Sequence, residues 1–112
     1  MKTKKSKAEI KFQIDLDENN VPENIKWLAT DGKVSFSDAK AVIMSIWDGD
    51  NKTSLGIDLW TKDMMAEEMH HFIFQILDSL SKSCKRSVGD EKVAKHIHDC
   101  AITIGKELNI LK

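Results

Sequence analysis

The sequence is poor in the features that mark several common protein classes. Its 112 residues include only two cysteines, Cys84 and Cys100, too few for a disulfide framework. Its five glycines are scattered singly, so there is no glycine-rich loop to cradle a phosphate or dinucleotide. No nucleophile elbow and no paired-carboxylate signature occurs either. No apolar run approaches the roughly 20 residues that cross a bilayer. The charged N-terminal stretch lacks the hydrophobic segment of a signal peptide. The formal net charge is only -1, without the basic bias of a nucleic-acid binder. These absences lead us to expect a cytoplasmic, non-enzymatic protein with no cofactor, no nucleic-acid partner and no membrane insertion.

What is present reads as an ordinary globular chain, 41% hydrophobic and 31% charged. A length near 100 residues suits one domain. We expect residues 1–8 to form a flexible basic tail, carrying Lys2, Lys4, Lys5 and Lys7, and 9–112 a single α+β domain.

Strict alternation gives the first elements. Ile10, Phe12, Ile14 and Leu16 alternate with polar residues, as a half-buried strand requires. After the turn-rich stretch Asp17–Glu23, which holds the only proline, Pro22, the residues Ile25, Trp27 and Ala29 predict a second strand. Ser35-Phe36-Ser37-Asp38 has the form of a capping box, so 35–39 reads as a short helical turn. The next two runs, 41–48 and 53–60, flank the hairpin loop Gly49-Asp50-Asn51-Lys52. Pairing Asp48 with Thr53 sets Ile46 opposite Leu55, Met44 opposite Ile57 and Val42 opposite Leu59. All six apolar side chains then share one face.

The same parity sends Ile43, Trp47 and Trp60 to the other face, and we expect Leu28 beside them on a neighbouring strand. Two tryptophans in one surface patch are the kind of group that marks a protein interface.

Two helices complete the reading. Asp63 is a candidate N-cap for the first. Met65, Met69, Phe72, Ile73, Ile76 and Leu80 form its apolar stripe, with Phe74 off it. Ser87-Val88-Gly89-Asp90 turns the chain. Val93, Ile97, Cys100, Ile104, Leu108 and Leu111 form the second stripe. The expected architecture is a four-stranded antiparallel sheet followed by an antiparallel helical hairpin packed on one face.

Three constellations bear on chemistry. His70 and His71 are about 100° apart on a helix, and His96 and His98 about 200°, so neither pair converges on one ion. Asp48-Gly49-Asp50 begins like a calcium loop. However, the fifth, sixth and twelfth positions hold Lys52, Thr53 and Leu59, where the motif needs oxygen ligands and a glycine. Cys84 and Cys100 are offset by about ten residues across the helical turn, or ~15 Å, beyond the roughly 7 Å limit of a disulfide. Both are read as packing residues.

Three phrases taken together point to a family. They are Asp17-Glu18-Asn19-Asn20-Val21-Pro22-Glu23, Ser45-Ile46-Trp47-Asp48 and Ile57-Asp58-Leu59-Trp60-Thr61-Lys62-Asp63-Met64. In this order and length the chain resembles the gliding-motility protein C family (GldC) of gliding bacteria. The resemblance implies a small cytoplasmic accessory protein of the gliding apparatus, not an enzyme, working through a protein partner of that apparatus or through copies of itself. It supplies no catalytic or ligand residues. A chaperone-like or small-ligand-binding module is the rival expectation.

Overall fold

Among the described residues, five strands precede two helices. The computed structural model describes residues 6–30 and 35–111. Lys2, Lys4 and Lys5 of the basic tail lie outside the described residues, while Lys7 is exposed. The chain divides into two compact units, residues 1–64 and 65–112, which are taken in turn.

The first unit holds two antiparallel sheets. One has the order β1-β2-β3, formed by Ile10–Leu16, Pro22–Ala29 and Ser37–Ala39. The other is the hairpin of β4 (Ala41–Asp48) and β5 (Thr53–Trp60). The expected single four-stranded sheet is therefore corrected to three strands plus two.

The helical turn expected at 35–39 is also corrected, because Ser37–Ala39 is strand. Ile25 pairs with Ala39 and Trp27 with Ser37. Asp38 does not cap a helix. Its carboxylate lies 3.7 Å from the Lys26 ammonium on the paired strand. A long-range partner outweighs the local capping signal, because every ladder bond to β2 satisfies a backbone group that a single helical turn would leave open.

Within the three-stranded sheet, Phe12, Ile14, Ile25, Trp27 and Ala39 share a face by register. Ile25, at its centre, is 1% exposed. Lys11, Gln13, Asp15, Lys26 and Asp38 line the other face, which is the one-sided burial that period two requires.

The β1–β2 turn is built around Asp17. Its carboxylate accepts the N–H groups of Asn19 and Val21 at 2.8 and 2.9 Å. Asn20 adopts the left-handed conformation, φ 62°, which asparagine tolerates better than most residues.

In the second unit α1 (Ala66–Val88) and α2 (Glu91–Glu107) meet across a short turn. Gly89 takes φ 66° at the end of α1, where glycine carries no steric penalty. Asp90 caps α2 by accepting the Val93 N–H at 3.0 Å. Asp63 is not a helix cap, since α1 begins after Met65. Asp63 instead accepts a hydrogen bond from the Thr61 hydroxyl.

The helices meet through small residues. Ser81, Ala94, Ala101 and Gly105 are the buried positions. The Ser81 hydroxyl donates to the Ala94 carbonyl at 2.7 Å. Phe74, off the apolar stripe, finds its place here. A Cβ built on Gly105 would lie 2.8 Å from the Phe74 ring and 2.7 Å from Leu111. The last turn of α2 closes with Asn109 at φ 59° and the Ile110 N–H on the Gly105 carbonyl at 2.8 Å, a Schellman pattern. Cys100 is exposed, so the packing role expected of it is corrected. Cys84 is half-buried, and both thiols are free.

Candidate functional site

The β4–β5 hairpin carries the residues that sequence parity singled out, and its register is the expected one. Asp48 pairs with Thr53, Ile46 with Leu55, Met44 with Ile57, Val42 with Leu59 and Ala41 with Trp60. The ladder is regular along its whole length, because β-branched and aromatic residues fill β4 and a four-residue loop joins the strands.

Asp48 shapes that loop. Its carboxylate accepts the Asp50 N–H at 3.0 Å and the Asn51 side-chain amide at 2.9 Å. The Asn51 side chain, then the backbone N–H groups, hold the Asp48 pKa below the usual carboxylate range. Lys52 completes the turn with φ 52°.

One face of the hairpin carries Ala41, Ile43, Ser45 and Trp47 on β4, opposite Trp60, Asp58, Gly56 and Ser54 on β5. Ile43 is 45% exposed, Trp47 66% and Trp60 51%. Each tryptophan stands opposite a small residue, Trp60 by Ala41 and Trp47 by Ser54. A Cβ on Gly56 would meet only the Met44 carbonyl, at 3.8 Å, so the space over the middle of this face is open. Leu28 is not part of the group. It lies on β2, pairs with Lys11 in the other sheet and is half-buried. Its expected place on a strand paired beside the tryptophans is corrected, since β2 touches β5 but shares no ladder with it.

The opposite face holds more apolar surface than parity alone suggested. Ile46, Leu55 and Ile57 share it, and all three are about half exposed, with Leu55 at 55%. The register of the six apolar residues holds, whereas the burial expected of that face does not. The hairpin thus offers apolar side chains to solvent on both faces, beyond a base where Val42, Met44 and Leu59 are partly covered.

That base is tied down by contacts no local pattern announces. The Thr61 N–H donates to the Lys40 carbonyl at 2.9 Å. Thr61 itself is buried, with its hydroxyl bonded to Asp63. That bond holds the Asp63 pKa below its ordinary value. Lys62 reaches the Asp17 carboxylate at 2.7 Å. The Lys62 hydrogen bond, followed by the Val21 N–H, lowers the Asp17 pKa to about 2. The turn phrase beginning at Asp17 and the phrase ending at Met64 therefore meet in space as a structural clasp.

Among the described residues, no three His, Cys, Asp or Glu side chains gather as a metal site. No helix among them is long and apolar enough to cross a membrane.

A family model described as "Gliding motility-associated protein GldC-like" matches residues 22–110. The chain belongs to the GldC-like family. The match spans β2 through α2 and so includes the β4–β5 hairpin and the helical pair. No curated protein and no solved structure matches the chain. Membership in the GldC-like family ties the chain to gliding motility and leaves the chemistry of its surface to be read from the residues.

Proposed function

We propose that this GldC-like chain is a non-enzymatic, cytoplasmic accessory protein of the gliding machinery that works by binding another protein through its β4–β5 hairpin. The observation that carries the reading is the exposure of Trp47, Trp60 and Ile43 on one regular hairpin face. Tryptophans beside small residues leave room for a partner's side chain, and truncating such residues at interfaces commonly costs about 2 kcal/mol or more. Several carboxylates serve the fold. Asp17, Asp48, Asp63 and Asp99 all have lowered pKa values caused by hydrogen bonds.

Affinity capture from gliding cells tests the reading, using the native chain beside Trp47→Ser and Trp60→Ser. One stoichiometric component of the gliding apparatus should co-purify with the native chain and be depleted at least tenfold by each substitution. Undiminished capture by both variants would place the contact elsewhere.

A chaperone-like role is the second reading, favoured by apolar exposure on both hairpin faces. It predicts many unfolded clients in the same experiment instead of one partner.

A further inference from the structure

The edges of the two sheets are built differently. In the three-stranded sheet the outer strand β1 carries Lys11 and Asp15 and ends in a register shift at Asp15/Leu16. The other outer strand, β3, is three residues long. Charges, bulges and short length are the usual means of blocking edge-to-edge pairing. Strand β4 has none of them before its last residue, Asp48. It is eight residues long, its ladder with β5 is regular, and no charged residue occurs from Ala41 to Trp47. It has one strand neighbour among the described residues. A hairpin of two strands is marginal by itself and gains from a third. Strand β5 differs again, since Asp58 and the side-chain-free Gly56 interrupt it.

The direction of the free backbone groups follows from the ladder. The Thr61 N–H bonds to the Lys40 carbonyl, and antiparallel pairs alternate between bonded and non-bonded positions. Even-numbered residues of β4 therefore direct their N–H and C=O groups at β5. Ala41, Ile43, Ser45 and Trp47 direct theirs at the open edge.

We propose that β4 pairs antiparallel with β4 of a second copy, about a two-fold axis at Met44, to form one sheet in the order β5-β4-β4-β5. The residues themselves select this register. A two-fold axis normal to the sheet keeps each face on its own side, so opposed residues must have the same parity. Centring on Met44 sets Ala41 opposite Trp47, Ile43 opposite Ser45 and Val42 opposite Ile46. Large then meets small on the tryptophan face, and aliphatic meets aliphatic on the other. All seven residues from 41 to 47 are used, and Asp48 stays outside. Centring on Ser45 would oppose Ile43 to Trp47 and Val42 to Asp48, crowding one face and setting a carboxylate against an aliphatic side chain. Centring on Ile43 would lose Ile46 and Trp47 from the pairing. The Met44 register also draws Trp60 of one copy and Trp47 of the other to either side of Ala41. The pairing uses the strand edge and leaves the outward side of the tryptophan face to the partner contact proposed above, although the two share Trp47 and Trp60.

Sedimentation and cysteine trapping of the full chain test the proposal. The wild-type chain should sediment as a dimer at micromolar concentration. Ser45→Pro removes an N–H from the open edge and none from the β4–β5 ladder, so it should give a monomer with unchanged circular dichroism. Trapping uses a background with Cys84→Ala and Cys100→Ser. Met44→Cys opposes itself across the axis at about 4.5 Å between Cα atoms, inside the disulfide range. It should cross-link nearly completely on mild oxidation. Val42→Cys opposes residue 46, so its two copies lie about 13 Å apart and should not cross-link. A monomeric wild-type chain would overturn the proposal. So would a dimer that survives in folded Ser45→Pro, or one in which Val42→Cys cross-links and Met44→Cys does not. Should Ser45→Pro fail to fold, the two cysteine variants decide.

Discussion

The helical pair and the β4–β5 hairpin use side-chain size in opposite ways. Between α1 and α2 the buried positions are Ser81, Ala94, Ala101 and Gly105, among the smallest residues available. In the hairpin the largest apolar residues, Trp47, Trp60, Ile46, Leu55 and Ile57, stay about half exposed or more. Small residues let two helix backbones approach closely, so the helical unit is closed by shape and tolerates little added volume. The hairpin is held by its backbone ladder and leaves its apolar side chains for other surfaces. The tight helical seam carries folding stability, and the open hairpin is the surface proposed for recognition. Residue size in one region and residue identity in the other are therefore the things to change.

The largest effect should come from Gly105→Val. A side chain there meets Leu111 and the Phe74 ring at under 3 Å. Overpacking of this kind costs about 2–3 kcal/mol, or roughly 10 °C in a chain of this size. Calorimetry should show the fall. An unchanged melting temperature would mean that the seam is looser than its geometry.

A smaller effect is expected at the hairpin's base. The Asp17 pKa falls from an ordinary 3.8 to about 2 in the folded chain, chiefly through the Lys62 hydrogen bond. A depressed carboxylate stabilises the fold above its unfolded pKa, and that contribution is lost as pH falls from about 4 towards 2. Lys62→Met should therefore flatten the decline of stability across that window. Acid titration followed by tryptophan fluorescence reads it directly, and identical curves for the two proteins would show the clasp to be inert.

The smallest effect on folding should follow Trp47→Ser or Trp60→Ser, each within about 0.5 kcal/mol of wild type in urea unfolding. A loss of several kcal/mol would make that tryptophan part of the folded core and erase the contrast between the two regions.

Much of this was readable from the sequence, for a physical reason. Period two along 10–16 and 53–60, and the side-chain count across Asp48 and Thr53, set strand pairing and register without any knowledge of distant residues. The Ile43, Trp47 and Trp60 group followed from the same parity. What the sequence hid depends on partners far along the chain. Three residues of β3 carry no period to detect and are strand because β2 lies beside them. Asp17 and Lys62 are 45 positions apart, and no local pattern joins them. Leu28 was misplaced because one continuous sheet was presumed. Phe74 looked stray because the α1 stripe was read as a single face, whereas α1 also packs on α2.

The order of pairing has a kinetic consequence. Among the described residues, each strand ladder and the helical pair join elements consecutive in the chain: β1 with β2, β2 with β3, β4 with β5, and α1 with α2, while β2 also touches β5. Loops to be closed are short, so little chain entropy is lost before contacts form. Pairing between consecutive elements favours fast folding over pairing of distant ones. Each hairpin can close soon after its second arm leaves the ribosome, before the next is made. The Lys62 clasp waits, since its lysine is synthesised 45 residues after Asp17. Locking of the β1–β2 turn onto the end of β5 should then be a late event in the first unit, visible as a phase that Lys62→Met removes from refolding.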